Sequence, residues 1–131
     1  MVMDAESLTA WMEGYRRAWE QQDADLAESL FAASYKFKET PFTEPVCMPG
    51  MMRDYWHDFA VLGQRDIQFG YAILDVAHDQ GLVHWRAAVT LEPAGDSVHL
   101  DGIALVKLDG AGKCSYFEQW WHRLGGGQAP A

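Results

Sequence analysis

The chain has 131 residues, a formal net charge of −9 and 49% hydrophobic residues. That is enough apolar material for one core and too much for a disordered chain, and the acidic balance disfavours nucleic-acid backbones and anionic membrane surfaces as partners. No apolar run is long enough to span a bilayer, the start Met1-Val2-Met3-Asp4-Ala5-Glu6 lacks signal-peptide character, and Cys47 and Cys114 show no metal or redox spacing, so two free thiols in a cytoplasmic protein are expected.

Leu8, Trp11, Met12, Tyr15, Ala18 and Trp19 recur at three- and four-residue spacing. This predicts an amphipathic helix over roughly residues 4–21, capped by Asp4. Asp23 caps a second, short helix through Leu26, Leu30 and Phe31. Tyr35 to Glu39 alternate as a strand, with Tyr35, Phe37 and Glu39 on one face and Lys36 and Lys38 on the other. Pro41 and Pro45 mark a loop, and Pro49 suits the first turn of a third helix carrying Met52, Tyr55, Trp56 and Phe59 on one side.

The remainder reads as strand and turn. Ile67, Phe69, Tyr71 and Ile73 alternate, and Leu74 and Val76 break phase, which predicts a bulge. Turns at 78–81, 92–96 and 109–112 separate strands over 82–91, 97–108 and 114–123. Helices first and a meander second predict an α+β fold. A helix-covered meander of this length must curl, leaving a pocket under its concave side. One domain over 1–124 and a flexible tail over 125–131 are expected.

This order of elements, together with Tyr15-Arg16-Arg17-Ala18-Trp19 followed by Asp23, Leu30-Phe31-Ala32, Tyr55-Trp56, Leu100-Asp101-Gly102-Ile103 and Phe117 to His122, resembles the NTF2-like (SnoaL-like) superfamily over nearly the whole chain. The resemblance implies a cystatin/NTF2-like cone: three N-terminal helices on a strongly curved antiparallel sheet with an internal pocket. That superfold hosts isomerases, cyclases, dehydratases and noncatalytic binders, so it specifies no chemistry. Against ketosteroid isomerase, a distant member, an ungapped count puts the oxyanion-hole tyrosine on Tyr15 and the general-base carboxylate on Glu39, or on Thr40 if the nearby proline is the anchor. The second oxyanion donor falls on Ala104, which has no donor to offer.

Glu39 shares its strand face with Tyr35 and Phe37, where desolvation suits a base near neutrality; the alternative is a strand-end carboxylate in water, and for Tyr15 a core ring. On the strand 82–91, Val83, Trp85, Ala87 and Val89 form one face, and Leu82, His84, Arg86 and Ala88 the other. The resemblance places His84 and Arg86 inward, where His84 would be a second candidate base and Arg86 would hold a carbonyl or carboxylate; the alternative is a solvated face. In Phe117 to His122, alternation puts Phe117, Gln119 and Trp121 inside and Tyr116, Glu118, Trp120 and His122 outside.

The expected site thus comprises Tyr15, Glu39 and His84 as candidate catalytic residues, with Trp19, Phe37, Trp56, Arg86, Gln119 and Trp121 around the ligand. The first reading is cofactor-free isomerase, dehydratase or cyclase-type acid/base chemistry on a small hydrophobic or carbonyl-containing ligand. The others are a noncatalytic binding module and a structural homodimer. His99 and Asp101 are two apart on one strand, too few for a metal, and no metal or cofactor is expected. A homodimer is expected through a convex sheet face bearing Val83, Trp85, Ala87, Val89, Tyr116 and Trp120.

Overall fold

The computed structural model describes residues 3–57 and 63–125. Its elements run α1 (Ala5–Glu20), α2 (Ala24–Ser29), β1 (Phe31–Lys38), α3 (Met51–Tyr55), β2 (Gln64–Ala77), β3 (Gln80–Leu91), β4 (Asp96–Leu108) and β5 (Cys114–Gly125). Phe59, assigned by the sequence to the third helix, lies outside the described residues, as does the tail expected over 125–131 except for Gly125, which ends β5.

The first two helices start where the sequence places their caps. Asp4 accepts from the Ser7 amide at 2.8 Å and Asp23 from the Leu26 amide at 3.0 Å, each satisfying an amide that has no partner within its helix. α1 buries Leu8, Trp11, Met12, Tyr15, Ala18 and Trp19, the stripe read from the spacing. Gly14 lies on the same side, where a Cβ would stand 2.8 Å from Leu30 Cδ2, so its bareness lets the end of α2 close on α1. α3 begins two residues after the proline expected in its first turn: Gly50, with φ +82°, is the N-cap, and Pro49 precedes it. Glu28 of α2 supplies the missing cap by accepting from the amides of Gly50 at 3.3 Å and Arg53 at 2.9 Å. Tyr35 adds a bond on each side, donating to Met48 O at 2.7 Å and accepting from Met52 N at 3.1 Å.

The five strands form one sheet in the order β1-β5-β4-β3-β2. The meander β2 to β5 is antiparallel, but β1 pairs with β5 in parallel, so the curved sheet is antiparallel-rich and mixed. The predicted bulge appears as a register shift between Ile73 and Asp75. The loop after β1 folds back so that Phe37 and Val46 exchange both backbone hydrogen bonds, covering the sheet edge there. α1 lies against β2: Glu20 accepts from the Phe69 amide at 2.9 Å, and Tyr71 donates to Glu13 at 2.6 Å.

Between helices and sheet sits one aromatic cluster. Phe37 stacks on Phe117 at 4.8 Å between centroids, and Phe117 stacks on Tyr15 at 5.5 Å. Both phenylalanines are fully buried. Truncating either to Ala would cost about 3–5 kcal/mol, a large share of the ~5–15 kcal/mol that holds a small domain folded. Cys114 is buried and Cys47 exposed, and both are free. Among the described residues no helix is long and apolar enough to cross a membrane.

The sheet is tightly closed at Gly102. A Cβ there would stand 2.8 Å from Trp120 O, 2.8 Å from Trp121 Cβ and 2.9 Å from Trp85 Cε2. Because two of those atoms are backbone or Cβ, the neighbours cannot swing away. Gly102→Ala is expected to lower the free energy of unfolding by about 1–3 kcal/mol, read as a lower urea midpoint; an unchanged midpoint would show that the sheet relaxes freely at this point.

Candidate active site

The inward face of the sheet can be followed as rows of register partners. One row is Tyr71–Trp85–Gly102–Trp121, flanked by Ile73–Val83–Ala104–Gln119 on one side and Phe69–Ala87–Leu100–Arg123 on the other. Val83, Trp85, Ala87 and Val89 are all buried on this face. A cavity of about 270 Å³ lies between these rows and the helices, with Trp19, Trp56, Trp85 and Trp121 among its walls and Tyr15, Glu39, Tyr55 and Gln119 grouped where β1 meets β5.

Seven of the nine predicted site residues line this cavity: Tyr15, Trp19, Phe37, Glu39, Trp56, Gln119 and Trp121. His84 and Arg86 do not, and the inward orientation expected for them is corrected here. They occupy the outer rows Ala72–His84–Ile103–Trp120 and Gly70–Arg86–Asp101–His122. His84 Nε2 lies 2.9 Å from Asp101 Oδ1, and Arg86 is exposed. The alternation along β3 was read correctly, but its faces were exchanged. The helices present aromatic rings to the sheet, and burying Val83, Trp85, Ala87 and Val89 against them removes far more apolar surface from water than burying the charged set would. The convex face predicted for a homodimer changes accordingly: Tyr116 and Trp120 are outward, while those four β3 residues are core.

Arg86, His99, Asp101 and His122 instead border an open trough of about 790 Å³ that also reaches Glu20, Phe69 and Arg123 of the inward side. It is larger than the inner cavity but lacks enclosing walls, so the inner one is the better small-molecule site. Among the described residues no three His, Cys, Asp or Glu side chains are grouped to hold a metal.

Several elements fix the site's polar groups. The Trp121 indole donates to Glu39 O at 3.1 Å, which ties the end of β1 to β5 and turns the Glu39 side chain inward. Burial, followed by the charge of the nearby Glu39 carboxylate, pushes the Tyr55 hydroxyl far above the usual tyrosine range. Burial and then Glu39 do the same to Tyr15. Glu39 itself is half-buried. Both phenols therefore stay protonated and act as donors beside a carboxylate, the pairing needed for proton transfer at a carbon next to a carbonyl.

Sequence reasoning missed three contributors. Tyr55 was assigned to the apolar side of α3, and its contact with Glu39 is long-range. Gln64 accepts from the Trp19 indole at 2.9 Å at the cavity edge. Arg123 follows from the same alternation that gave Gln119 and Trp121, extended by one more inward position. It lines the cavity, and its Nε is buried with no acceptor among the described residues.

Comparison with known proteins agrees with this architecture. A family model described as a SnoaL-like domain matches residues 12–117. No curated protein matches significantly. Among solved structures, the chain is similar to the epoxide hydrolase/cyclase-like enzyme SalBIII of pyran ring formation in the polyether salinomycin, with a TM-score of 0.76, 16% identity and coverage of 90% of this chain and 92% of that one. It is also similar to a Δ5-3-ketosteroid isomerase from Mycobacterium sp., with a TM-score of 0.74, 14% identity and coverage of 91% and 98%. A computationally designed 17-OHP binder gives 0.75, 12%, and 92% and 98%. At these identities the likeness concerns the fold alone.

The buried phenols also set an alkaline limit. Tyr35 is pushed up to about 12 from 10.0 by burial and then Glu28, and Tyr71 up to about 12 by burial and then Glu13; Tyr15 and Tyr55 go higher. A raised folded value stabilises fully below the unfolded value, and the stability is lost as pH climbs from there through the folded value. The urea midpoint should thus begin to fall near pH 10 and keep falling beyond about pH 12, and a midpoint still level at pH 11–12 (about one to two units above an ordinary tyrosine) would contradict these burials.

Proposed function

The chain belongs to the SnoaL-like domain family, and we propose that it binds a small hydrophobic carbonyl compound in its inner cavity and moves a proton on it without a cofactor, with Glu39 as the base. The observation that carries this reading is the placement of Glu39, the one carboxylate among the described residues that line the cavity, beside two tyrosines that stay protonated.

In the proposed step the Glu39 carboxylate takes a proton from the carbon next to the substrate carbonyl. The C–H electron pair becomes the enolate π bond, and the carbonyl π pair moves onto oxygen. Tyr15 donates to that oxygen as its charge grows. Tyr55 keeps a second protonated hydroxyl beside the carboxylate. Returning the proton to another carbon gives isomerisation; expelling a leaving group gives elimination. The isomerase and the cyclase-like enzyme with this fold support such a reading.

One observation favours a second reading, a noncatalytic binder. Ala104, the position corresponding to the isomerase's second oxyanion donor, is fully buried and offers no donor, and a designed ligand binder shares the fold. In either case we propose a cytoplasmic homodimer joined through the outer sheet face, where Trp120 is 45% exposed and Leu124 is also exposed. Light scattering at micromolar concentration is expected to give twice the chain mass, and Trp120→Glu the mass of one chain.

2-Tetralone separates the two readings. Wild-type protein should accelerate exchange of its carbon-1 protons in D₂O, followed by NMR. Glu39→Gln should lower the protein-dependent rate by about 100-fold or more and Tyr15→Phe by about tenfold. Binding without acceleration would leave the noncatalytic reading, and a Glu39→Gln rate equal to wild type would remove Glu39 from its role.

A further inference from the structure

The indoles around the core account for their donors with one exception. Trp11 donates to Leu30 O at 2.8 Å, Trp19 to Gln64 Oε1 at 2.9 Å, Trp56 to Ala18 O at 3.4 Å and Trp121 to Glu39 O at 3.1 Å. Trp85, with only 3% of its surface exposed, has an Nε1 buried without an acceptor. The one other buried side-chain donor in that condition among the described residues is Arg123 Nε. Both residues line the inner cavity, and Arg123 borders the open trough as well.

Trp85 on β3 and Arg123 on β5 have β4 between them. Trp85 and Arg123 stand on neighbouring inward rows, Trp85–Gly102–Trp121 and Ala87–Leu100–Arg123, about 7 Å apart along the strands. With no side chain at Gly102, the Trp85 indole lies over β4 toward β5. Arg123 appears in none of the ion pairs among the described residues. A buried guanidinium edge and a buried indole N–H are each unfavourable until an acceptor arrives. A carboxylate satisfies the first with charge-assisted bonds, and its second oxygen is available to the indole.

We propose that the ligand of this cavity is a small organic acid with a flat ring system, its carboxylate held by Arg123 and Trp85 and its rings lying between the indoles. This deepens, and rests on, the reading of the cavity as a small-molecule site. Gln119 lies four residues before Arg123 on the same inward set, a span of about 13 Å along β5. The acid group is therefore anchored at the opposite end of the cavity from Glu39, which avoids like-charge repulsion and leaves the far end of the ring system for the base. The cavity volume, about 270 Å³, falls just below the usual ~300–1,000 Å³ of ligand pockets, which suits one or two fused rings.

The test compares 2-naphthoate with 2-naphthamide, which has nearly the same shape and no charge, by titration calorimetry on the full chain at neutral pH. Wild-type protein should bind the acid at least tenfold more tightly than the amide. Arg123→Met should remove that preference, whereas Arg86→Met, on the outer face, should keep it. Equal affinities in the wild type, or a preference that survives Arg123→Met, overturn the acid assignment while leaving the cavity a binding site. Where Arg123→Met fails to fold, the wild-type ratio decides alone. Binding of neither compound overturns this proposal together with the small-molecule reading beneath it.

Discussion

Trp85 lies over Gly102, with its Cε2 2.9 Å from where a Cβ would stand, and the functional architecture depends on this placement. It fixes which face of β3 looks toward the helices. Once Trp85 is inside, it stacks on Phe69 at 6.0 Å and tilts against Trp19 at 5.6 Å, joining the sheet to α1 and β2. Alternation then sends His84 and Arg86 outside, and through the register of β4 and β5 brings Ala104, Gln119, Trp121 and Arg123 inside. A one-residue slip of β3 would turn His84 and Arg86 toward the helices in place of Trp85 and Ala87.

The fold was legible because its signals are local. The α1 stripe, the Asp4 and Asp23 caps, the alternating strands and the phase break at Leu74 each arise from neighbours a few residues apart, and each appears in the structure close to where the spacing put it. The parallel pairing of β1 with β5 was not legible, since it joins Phe37 to Phe117 across most of the chain. Pro49 pointed to α3, but the helix waits for Gly50 because its cap comes from Glu28 on another helix.

The site was legible in proportion to how far alternation could be oriented. On β5, alternation separated Phe117, Gln119 and Trp121 from Trp120 and His122, and the structure agrees. On β3 it separated the two sets correctly but carried no information on which faced the core. The resemblance assigned His84 and Arg86 inward, while hydrophobic burial of the opposite set decides it. Arg123 lies one inward position beyond Trp121 on the same β5 alternation, at the end of the predicted strand. Tyr55 illustrates the remaining gap: its spacing on α3 marks it as apolar packing, and only the tertiary structure brings its hydroxyl to Glu39.

Polar groups in the cavity are therefore few and separated: a carboxylate with two phenols where β1 meets β5, a guanidinium edge and an indole donor further along, and aromatic walls between them. The most direct test is to follow the tryptophan indole N–H resonances by ¹⁵N NMR, assigned with single Trp→Phe variants, while 2-naphthoate is added. Occupation of the inner cavity predicts shifts of the Trp19, Trp56, Trp85 and Trp121 signals, the largest at Trp85, with Trp120 unmoved. A shift confined to Trp120, with the four inner indoles unchanged, would place binding on the outer face and contradict the account.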